Sequence, residues 1–132
     1  MSAIPDKLWY TKTHEWARVE PNGDVTVGIT DHAQSELKDV VFVELPQSGR
    51  TLKAAEASAV VESVKAAFDI YAPVSGQVIR VNAALEKSPQ LINHEPYGQG
   101  WFFVLKPADT RELETLLSPG DYAKLLTSAP VH

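Results

Sequence analysis

Short alternating segments rich in β-branched residues run through most of the chain, and turn signals separate them. The clearest pair is 15–20 (EWARVE) and 24–30 (DVTVGIT), which flank the turn signal Pro21-Asn22-Gly23-Asp24 and predict a hairpin. A nearly continuous apolar run at 40–45 predicts a buried strand. Further strand-like segments lie at 9–11, 58–64, 68–72, 77–82 and 101–105. This succession predicts an all-β fold, a sandwich or barrel-like hybrid with short helices.

Helical patterns interrupt the strands at a few places. Thr30 or Asp31 can cap a short helix that reaches Leu37, because either side chain can accept from a free N–H of the first turn. The pair Ser88-Pro89 predicts a helix of one turn, with Ser at the cap and Pro at the first helical position.

A helical pattern also closes the chain. Three leucines have helical spacing: Leu113, Leu116 and Leu117. Ser118-Pro119 then starts a C-terminal helix. Because no linker or low-complexity segment is evident, we expect residues 1–132 to form one domain, with a core at about 8–126 and a frayed tail at 127–132.

The composition indicates an acidic domain without thiol chemistry of its own. The chain has 132 residues and a formal net charge of −5, and its Lys and Arg residues form no block. This balance argues against nucleic acid or an anionic membrane as a partner. Cys is absent, so any sulfur chemistry must come from a cofactor. No catalytic triad order, phosphate-binding loop or His spacing for a metal rises above chance.

The N-terminus has neither a secretory signal nor the Arg-rich amphipathic character of a transit peptide. We therefore expect a bacterial cytoplasmic protein, or a mitochondrial matrix protein if a eukaryotic chain has been processed. The lack of Cys fits either compartment.

Lys65 is the sharpest feature of the sequence. It lies between the strands predicted at 58–64 and 68–72, and no Gly or Asn marks the tight turn. One interpretation is an ordinary exposed lysine at a hairpin tip, which spacing alone favours. The other is a rigid turn that presents one amine to a modifying enzyme, so that the long side chain carries a swinging cofactor.

The surroundings of Lys65 support the second interpretation. The run 62–66 (ESVKA) is followed by Asp69 and by 71–76 (YAPVSG). These residues strongly resemble the lipoylation segment of glycine cleavage H proteins. The resemblance spans about residues 8–126 through 10–16 (YTKTHEW), 27–34 (VGITDHAQ), 41–46 (VFVELP), Asn93, 96–98 (PYG) and 100–101 (GW). The Asp-Lys-Ala of 2-oxo-acid dehydrogenase lipoyl domains and the Met-Lys-Met of biotin carriers are both absent here.

The resemblance implies a lipoyl- and biotinyl-carrier-like barrel-sandwich hybrid with lipoate joined to Lys65 by an amide. It implies a carrier that is not itself an enzyme. The arm would take an aminomethyl group from glycine decarboxylase (P protein) to aminomethyltransferase (T protein). Dihydrolipoamide dehydrogenase (L protein) would reoxidise the dihydrolipoyl arm, and a lipoate ligase or octanoyltransferase would attach it. An alternative is a relay that donates lipoyl groups to 2-oxo-acid dehydrogenase complexes, which needs the same lysine.

The resemblance also implies a cleft that keeps water from the arm. Its candidates are Glu15 and Asp69, whose carboxylates would hold a protonated amine, and more weakly His14, Thr13 and His32. The blander interpretation makes Glu15 an exposed carboxylate at a strand edge and Asp69 a turn residue. The two histidines would then only make structural hydrogen bonds.

Overall fold

The computed structural model describes residues 4–127, which form two antiparallel β-sheets with short helices around them. The strands are β1 Trp9–Tyr10, β2 Glu15–Val19, β3 Val25–Ile29, β4 Val40–Glu44, β5 Thr51–Leu52, β6 Ala57–Ser63, β7 Ala67–Tyr71, β8 Gly76–Val81 and β9 Phe103–Pro107. The helices are α1 Asp31–Leu37, α2 Ala84–Lys87, α3 Leu91–His94 and α4 Pro119–Thr127, with a 3₁₀ helix at Thr110–Thr115. The six-stranded sheet has the order β1-β2-β3-β9-β8-β5 and the three-stranded sheet the order β4-β6-β7. The predicted all-β architecture with a C-terminal helix is confirmed.

The β2–β3 hairpin forms at the predicted turn. Val19 pairs with Val25, and Gly23 in the turn has a φ of 93°, a conformation that a residue without a Cβ adopts at little cost. Further along, Trp16 pairs with Gly28. A Cβ at Gly28 would lie 2.5 Å from the Trp16 indole, so glycine is what allows the ring to cover the neighbouring strand.

The smaller sheet carries the turn that contains Lys65. Val43 pairs with Val61 and both are buried, whereas the next pair, Phe42 and Glu62, is exposed. The run 40–45 is therefore buried on one face only. A sheet made of antiparallel strands can leave its other face to solvent, which explains why the apolar run does not lie fully inside.

The space between the two sheets is filled by aliphatic and aromatic side chains. Val27, Phe103 and Leu105 come from the six-stranded sheet, and Val61 and Ile70 come from the other. Burial of one such side chain contributes about 1.5–3 kcal/mol of transfer free energy. The contacts between the sheets thus hold the hairpin β6–β7 on a stable base.

A second cluster joins β1 and β2 to α4. Leu8, Tyr10, Trp16 and Tyr122 are buried in it, and the Trp16 indole N–H donates to the carbonyl of Pro96 at 2.9 Å. Trp16 is fully buried here, and Phe102 and Phe103 are fully buried in the main core. Trp101 is only half-buried at the margin of this cluster.

The helix predicted after Thr30 is confirmed. The Thr30 hydroxyl accepts from the backbone N–H of Ala33 at 3.2 Å, so Thr30 is the N-cap of α1. The one-turn helix predicted after Ser88 is present as α3, but its predicted cap was wrong: the N–H of Ser88 donates to the carbonyl of Ala84 and closes α2, and α3 begins at Leu91 without a side-chain cap. The spacing from Ser88 to Pro89 did not reveal that an earlier helix ends there.

Two boundaries near the C-terminus also differ from the predictions. The strand predicted at 101–105 is Phe103–Pro107, because the Trp101 carbonyl accepts from the Asn82 amide and the ladder with β8 runs on to Pro107. Leu113 lies in the 3₁₀ helix, while Leu117 exchanges backbone hydrogen bonds with Tyr10, which draws that segment out of a helical conformation.

The C-terminal helix α4 includes Thr127, which we had expected in the frayed tail. The rest of that predicted tail, 128–132, lies outside the described residues.

Candidate functional site

Lys65 lies at the exposed tip of a tight turn between β6 and β7. The N–H of Ser63 donates to the carbonyl of Ala66 at 2.9 Å. The Ser63 hydroxyl oxygen accepts from the N–H groups of Lys65 and Ala66 at 3.1 and 3.2 Å. The turn therefore needs neither Gly nor Asn, because a serine side chain satisfies the two free donors at its tip.

The turn is fastened to the segment that follows α1. The N–H of Val64 donates to the carbonyl of Asp39 at 3.0 Å, and the Lys65 ammonium lies 3.5 Å from the carbonyl of Glu36. The backbone of the turn is thus held in place, while the Lys65 side chain stays exposed and reaches over the C-terminal end of α1.

A groove of about 240 Å³ opens beside this end of the helix. Its apolar wall consists of Ile29, Ala33, Leu37, Phe68 and Ile70, and its polar lining consists of Thr13, His14, His32, Glu36 and Asp69. Since Glu36 both lines the groove and contacts the Lys65 ammonium, the lysine lies at the mouth of the groove. Four of the predicted cleft residues therefore line one groove next to Lys65.

Glu15 is the exception among the predicted cleft residues. Its side chain is 1% exposed, so the interpretation as an exposed strand-edge carboxylate was wrong. It accepts from the hydroxyls of Thr11 and Thr13 and, at 3.1 Å, from the N–H of Tyr71. Burial raises the pKa of the Glu15 carboxyl, and these hydrogen bonds oppose the rise.

The Glu15 carboxylate borders a neighbouring cavity of about 530 Å³ rather than the groove itself. Thr13 lines both spaces, so Glu15 reaches the groove through the hydroxyl of Thr13. The turn-residue interpretation of Asp69 was also wrong, because Asp69 lies within β7, paired with Val60. It is exposed and borders both the groove and an open depression on the outer face of the small sheet.

The two histidines pack against each other in the groove, with ring centroids 4.7 Å apart. Burial lowers the pKa of His14, and the neighbouring His32 lowers it further, while Glu36 acts in the opposite sense. The Nδ1 of His14 lies 2.7 Å from the hydroxyl of Tyr122. Neither Tyr122 nor Glu36 is among the cleft residues predicted from the sequence.

Other kinds of site find no support in the part of the chain that the structure describes. Between residues 4 and 127, no three His, Asp or Glu side chains converge so as to hold a metal ion. Over the same range, no helix has the length and apolar character needed to cross a bilayer.

The family model described as Glycine cleavage H-protein matches residues 8–129. The chain belongs to this family. It is 58% identical to the glycine cleavage system H protein of Alkalilimnicola ehrlichii over 126 residues, which cover 96% of this chain and 97% of the relative. It is 59% identical to that of Thermus thermophilus over 126 residues, covering 95% and 97%.

The fold of the H-protein family is shared as well. The crystal structure of a glycine cleavage system H protein from Mycobacterium marinum matches with a TM-score of 0.85 and 39% identity, covering 94% of this chain and 99% of that one. H-proteins are carrier subunits, and membership of the family supports a role as lipoyl carrier in the glycine cleavage system.

Proposed function

We propose that this chain carries lipoate as an amide on Lys65 and moves an aminomethyl group from glycine decarboxylase to aminomethyltransferase. Dihydrolipoamide dehydrogenase then reoxidises the dithiol. The observation that supports this most directly is the position of the Lys65 ammonium, exposed on a braced turn and 3.5 Å from a carbonyl at the mouth of the groove. The bacterial relatives support a place in the cytoplasm.

The residues present fit such a group. An exposed amine on a turn is accessible to a lipoate ligase or octanoyltransferase, and the hydrogen bonds of Ser63 hold the backbone still while the side chain moves. The bound cofactor would supply an oxidised dithiolane, whose S–S bond breaks as one sulfur takes the aminomethyl group and the other becomes a thiol, and which is left as a dithiol once that group has gone. The apolar side of the groove, including Leu37 and Phe68, suits a hydrocarbon chain and excludes water from it.

The polar side of the groove suits the amine that the arm carries. Asp69 contributes a carboxylate, and Thr13, His14 and His32 contribute hydrogen-bonding groups. Glu15 contributes indirectly, since its carboxylate orients the Thr13 hydroxyl. In this arrangement the chain binds, orients and shields the amine, while its partners perform the chemistry.

Intact mass after coexpression with a lipoate ligase and lipoate tests the attachment site. The wild type gains the mass of one lipoyl group and Lys65→Arg gains none. Lys53→Arg is the matched control, because Lys53 is also an exposed lysine between strands. This variant is expected to gain the mass of one lipoyl group, as the wild type does. A modified Lys65→Arg protein, or an unmodified wild type under conditions that modify a known lipoyl domain, contradicts the proposal.

Reconstitution with the three partner enzymes tests the shuttle. Lipoylated protein supports glycine-dependent reduction of NAD and ammonia release, and the unmodified protein does not. The relay function uses the same exposed Lys65, so site geometry does not separate the two. Deleting the gene and then measuring lipoylation of the 2-oxo-acid dehydrogenase complexes separates the two functions. Unchanged lipoylation excludes an obligatory relay.

A further inference from the structure

The C-terminal helix α4 contacts a residue of the groove through the hydroxyl of Tyr122. Tyr122 of α4 is fully buried, and its ring stacks on that of Tyr10 with centroids 4.6 Å apart and planes 7° from parallel. Its hydroxyl lies 2.7 Å from Nδ1 of His14 and 2.7 Å from the hydroxyl of Thr30. A phenol hydroxyl donates one hydrogen bond and accepts others, so it can bond with both partners at once.

The two partners of Tyr122 belong to two different segments that contribute side chains to the groove. His14 lies in the connection between β1 and β2 and lines the groove directly. Thr30 is the N-cap of α1, the helix that contributes His32 and Glu36 to the lining of the groove. The N–H of Thr30 also donates to the carbonyl of His14 at 3.0 Å. The Tyr122 hydroxyl therefore lies where the start of α1 meets the connection between β1 and β2.

The backbone conformation of His14 indicates that the surrounding structure fixes the direction of its side chain. Its φ is 74°, in the left-handed region that few residues other than glycine adopt. Such conformations persist where the surroundings fix them, and they are frequent at functional sites. The backbone fixes the direction of the Cα–Cβ bond, but the rotation of the imidazole is set by what its nitrogens contact. At Nδ1 that contact is the Tyr122 hydroxyl.

We propose that Tyr122 is a positioning residue that fixes the ring rotation and the tautomer of His14 in the groove. With the phenol donating to Nδ1, a neutral imidazole carries its proton on Nε2. The groups that face His14 are His32 and Glu36 of α1, Asp69 of β7 across the groove and Tyr122 of α4. The helix α4 thereby acts on the site of the arm without lining it; this consequence rests on the proposed function, whereas the hydrogen bond to His14 does not.

The hydrogen bond is tested in the unmodified protein, which needs neither cofactor nor partner. Tyr122→Phe removes the hydroxyl and keeps the stacked ring. Tyr10→Phe is the matched control, because it removes the other hydroxyl of the same stack, which donates to Pro5 rather than to the groove. The ring nitrogens of uniformly ¹⁵N-labelled protein are observed by NMR at a pH where His14 is neutral.

The wild type and Tyr10→Phe are expected to show His14 with its proton on Nε2. In Tyr122→Phe the tautomer ratio shifts by about fivefold towards the Nδ1–H form, the factor that one net hydrogen bond provides. The same tautomer in all three proteins overturns the proposal. An equal change in the two Phe variants also overturns it, because the cause would then be general loosening of the stack.

The effect on the arm is measured as ammonia release from lipoylated protein loaded with an aminomethyl group. Tyr122→Phe releases ammonia about fivefold faster than wild type, again the factor of one net hydrogen bond. His14→Asn is used as a second background, because Asn tolerates the left-handed backbone. In that background, removing the Tyr122 hydroxyl is expected to give no further acceleration of ammonia release. An equal acceleration in that background contradicts positioning through His14. A wild type that protects no better than free lipoamide refutes the groove function, and the NMR result still decides the role of Tyr122.

Discussion

Glu15 provides a sharp test of how burial and hydrogen bonding balance in this fold. The carboxylate belongs to β2 of the large sheet, yet it accepts from the N–H of Tyr71 on β7 of the small sheet. Its other oxygen accepts from the hydroxyls of Thr11 and Thr13. One buried side chain thus links the two sheets and the loop that leads to the groove.

Glu15→Ala is expected to lower the free energy of unfolding by about 1–3 kcal/mol, because the Tyr71 N–H loses its acceptor inside the protein. For a domain of this size, that is a fall in melting temperature of roughly 4 °C per kcal/mol. Glu15→Gln retains most of the stability. Its amide oxygen can accept from Tyr71, and the hydroxyls of Thr11 and Thr13 can reverse to accept from the amide nitrogen.

The pH dependence of the free energy of unfolding distinguishes the wild type from Glu15→Gln. Burial raises the pKa of Glu15 above its ordinary value near 4.5, so the folded state binds this proton more tightly than the unfolded state. The contribution of Glu15 to the free energy of unfolding is therefore fully present at a pH below the pKa of Glu15 in the unfolded state. It falls as the pH rises from that value through the raised pKa of the folded state, and above the raised pKa it is constant. The variant with Gln lacks this decline.

Urea unfolding of the two proteins between pH 4 and pH 9 measures the effect. Other carboxyls such as Glu20, whose pKa is lowered, contribute to the pH dependence with the opposite sign. The informative quantity is therefore the free energy of unfolding of the wild type minus that of Glu15→Gln at each pH. This difference falls with rising pH and then becomes constant. Glu62→Gln, which changes an exposed carboxylate, is the matched control for the substitution itself. A difference for Glu15→Gln that stays flat or rises with pH refutes the reasoning.

Two further substitutions test the hairpin and the turn. Gly28→Ala places a methyl group 2.5 Å from the Trp16 indole and is expected to cost about 1–3 kcal/mol of overpacking; an unchanged urea midpoint contradicts this close packing. Ser63→Ala removes the hydroxyl that accepts from Lys65 and Ala66, so the turn loses order. We expect lipoylation in a mass-spectrometric time course to slow about fivefold, the factor of one net hydrogen bond, and an equal rate shows that the enzyme does not require a preformed turn.

The position of Lys65 could be predicted because both of its strands alternate in the sequence on either side of it. The hydrogen bonds that hold the turn could not be predicted. Turn prediction relies on Gly and Asn, which reach unusual φ values, and this turn instead uses the Ser63 hydroxyl to satisfy its free N–H groups. The same limit applies to the N-cap at Ser88, where local spacing could not show that a preceding helix uses the residue to end.

The burial of Glu15 could not be predicted for a different reason. A carboxylate at the start of an alternating strand is ordinarily exposed, and only the meeting of two sheets covers this one. Its partner Tyr71 is 56 residues away. The contact between Tyr122 and His14 spans 108 residues. Hydrogen bonds between such distant residues leave no periodic signal, whereas the groove residues Thr13, His14, His32 and Asp69 were found through the family resemblance.

The charges around the turn bear on the proposed role as a carrier that meets several enzymes in succession. Glu36, Asp39, Glu62 and Asp69 are all exposed near Lys65. Amide formation removes the ammonium charge of Lys65 and makes the formal net charge of −5 one unit more negative. Acidic surface of this kind speeds encounter with basic partner surfaces and adds little to the lifetime of a complex, since exposed charges are screened by salt. Fast association without tight binding is what a shuttle requires. We therefore expect salt to slow the encounters of the lipoylated protein with the proposed partner enzymes, while the proposed shielding of the arm by the groove stays unchanged.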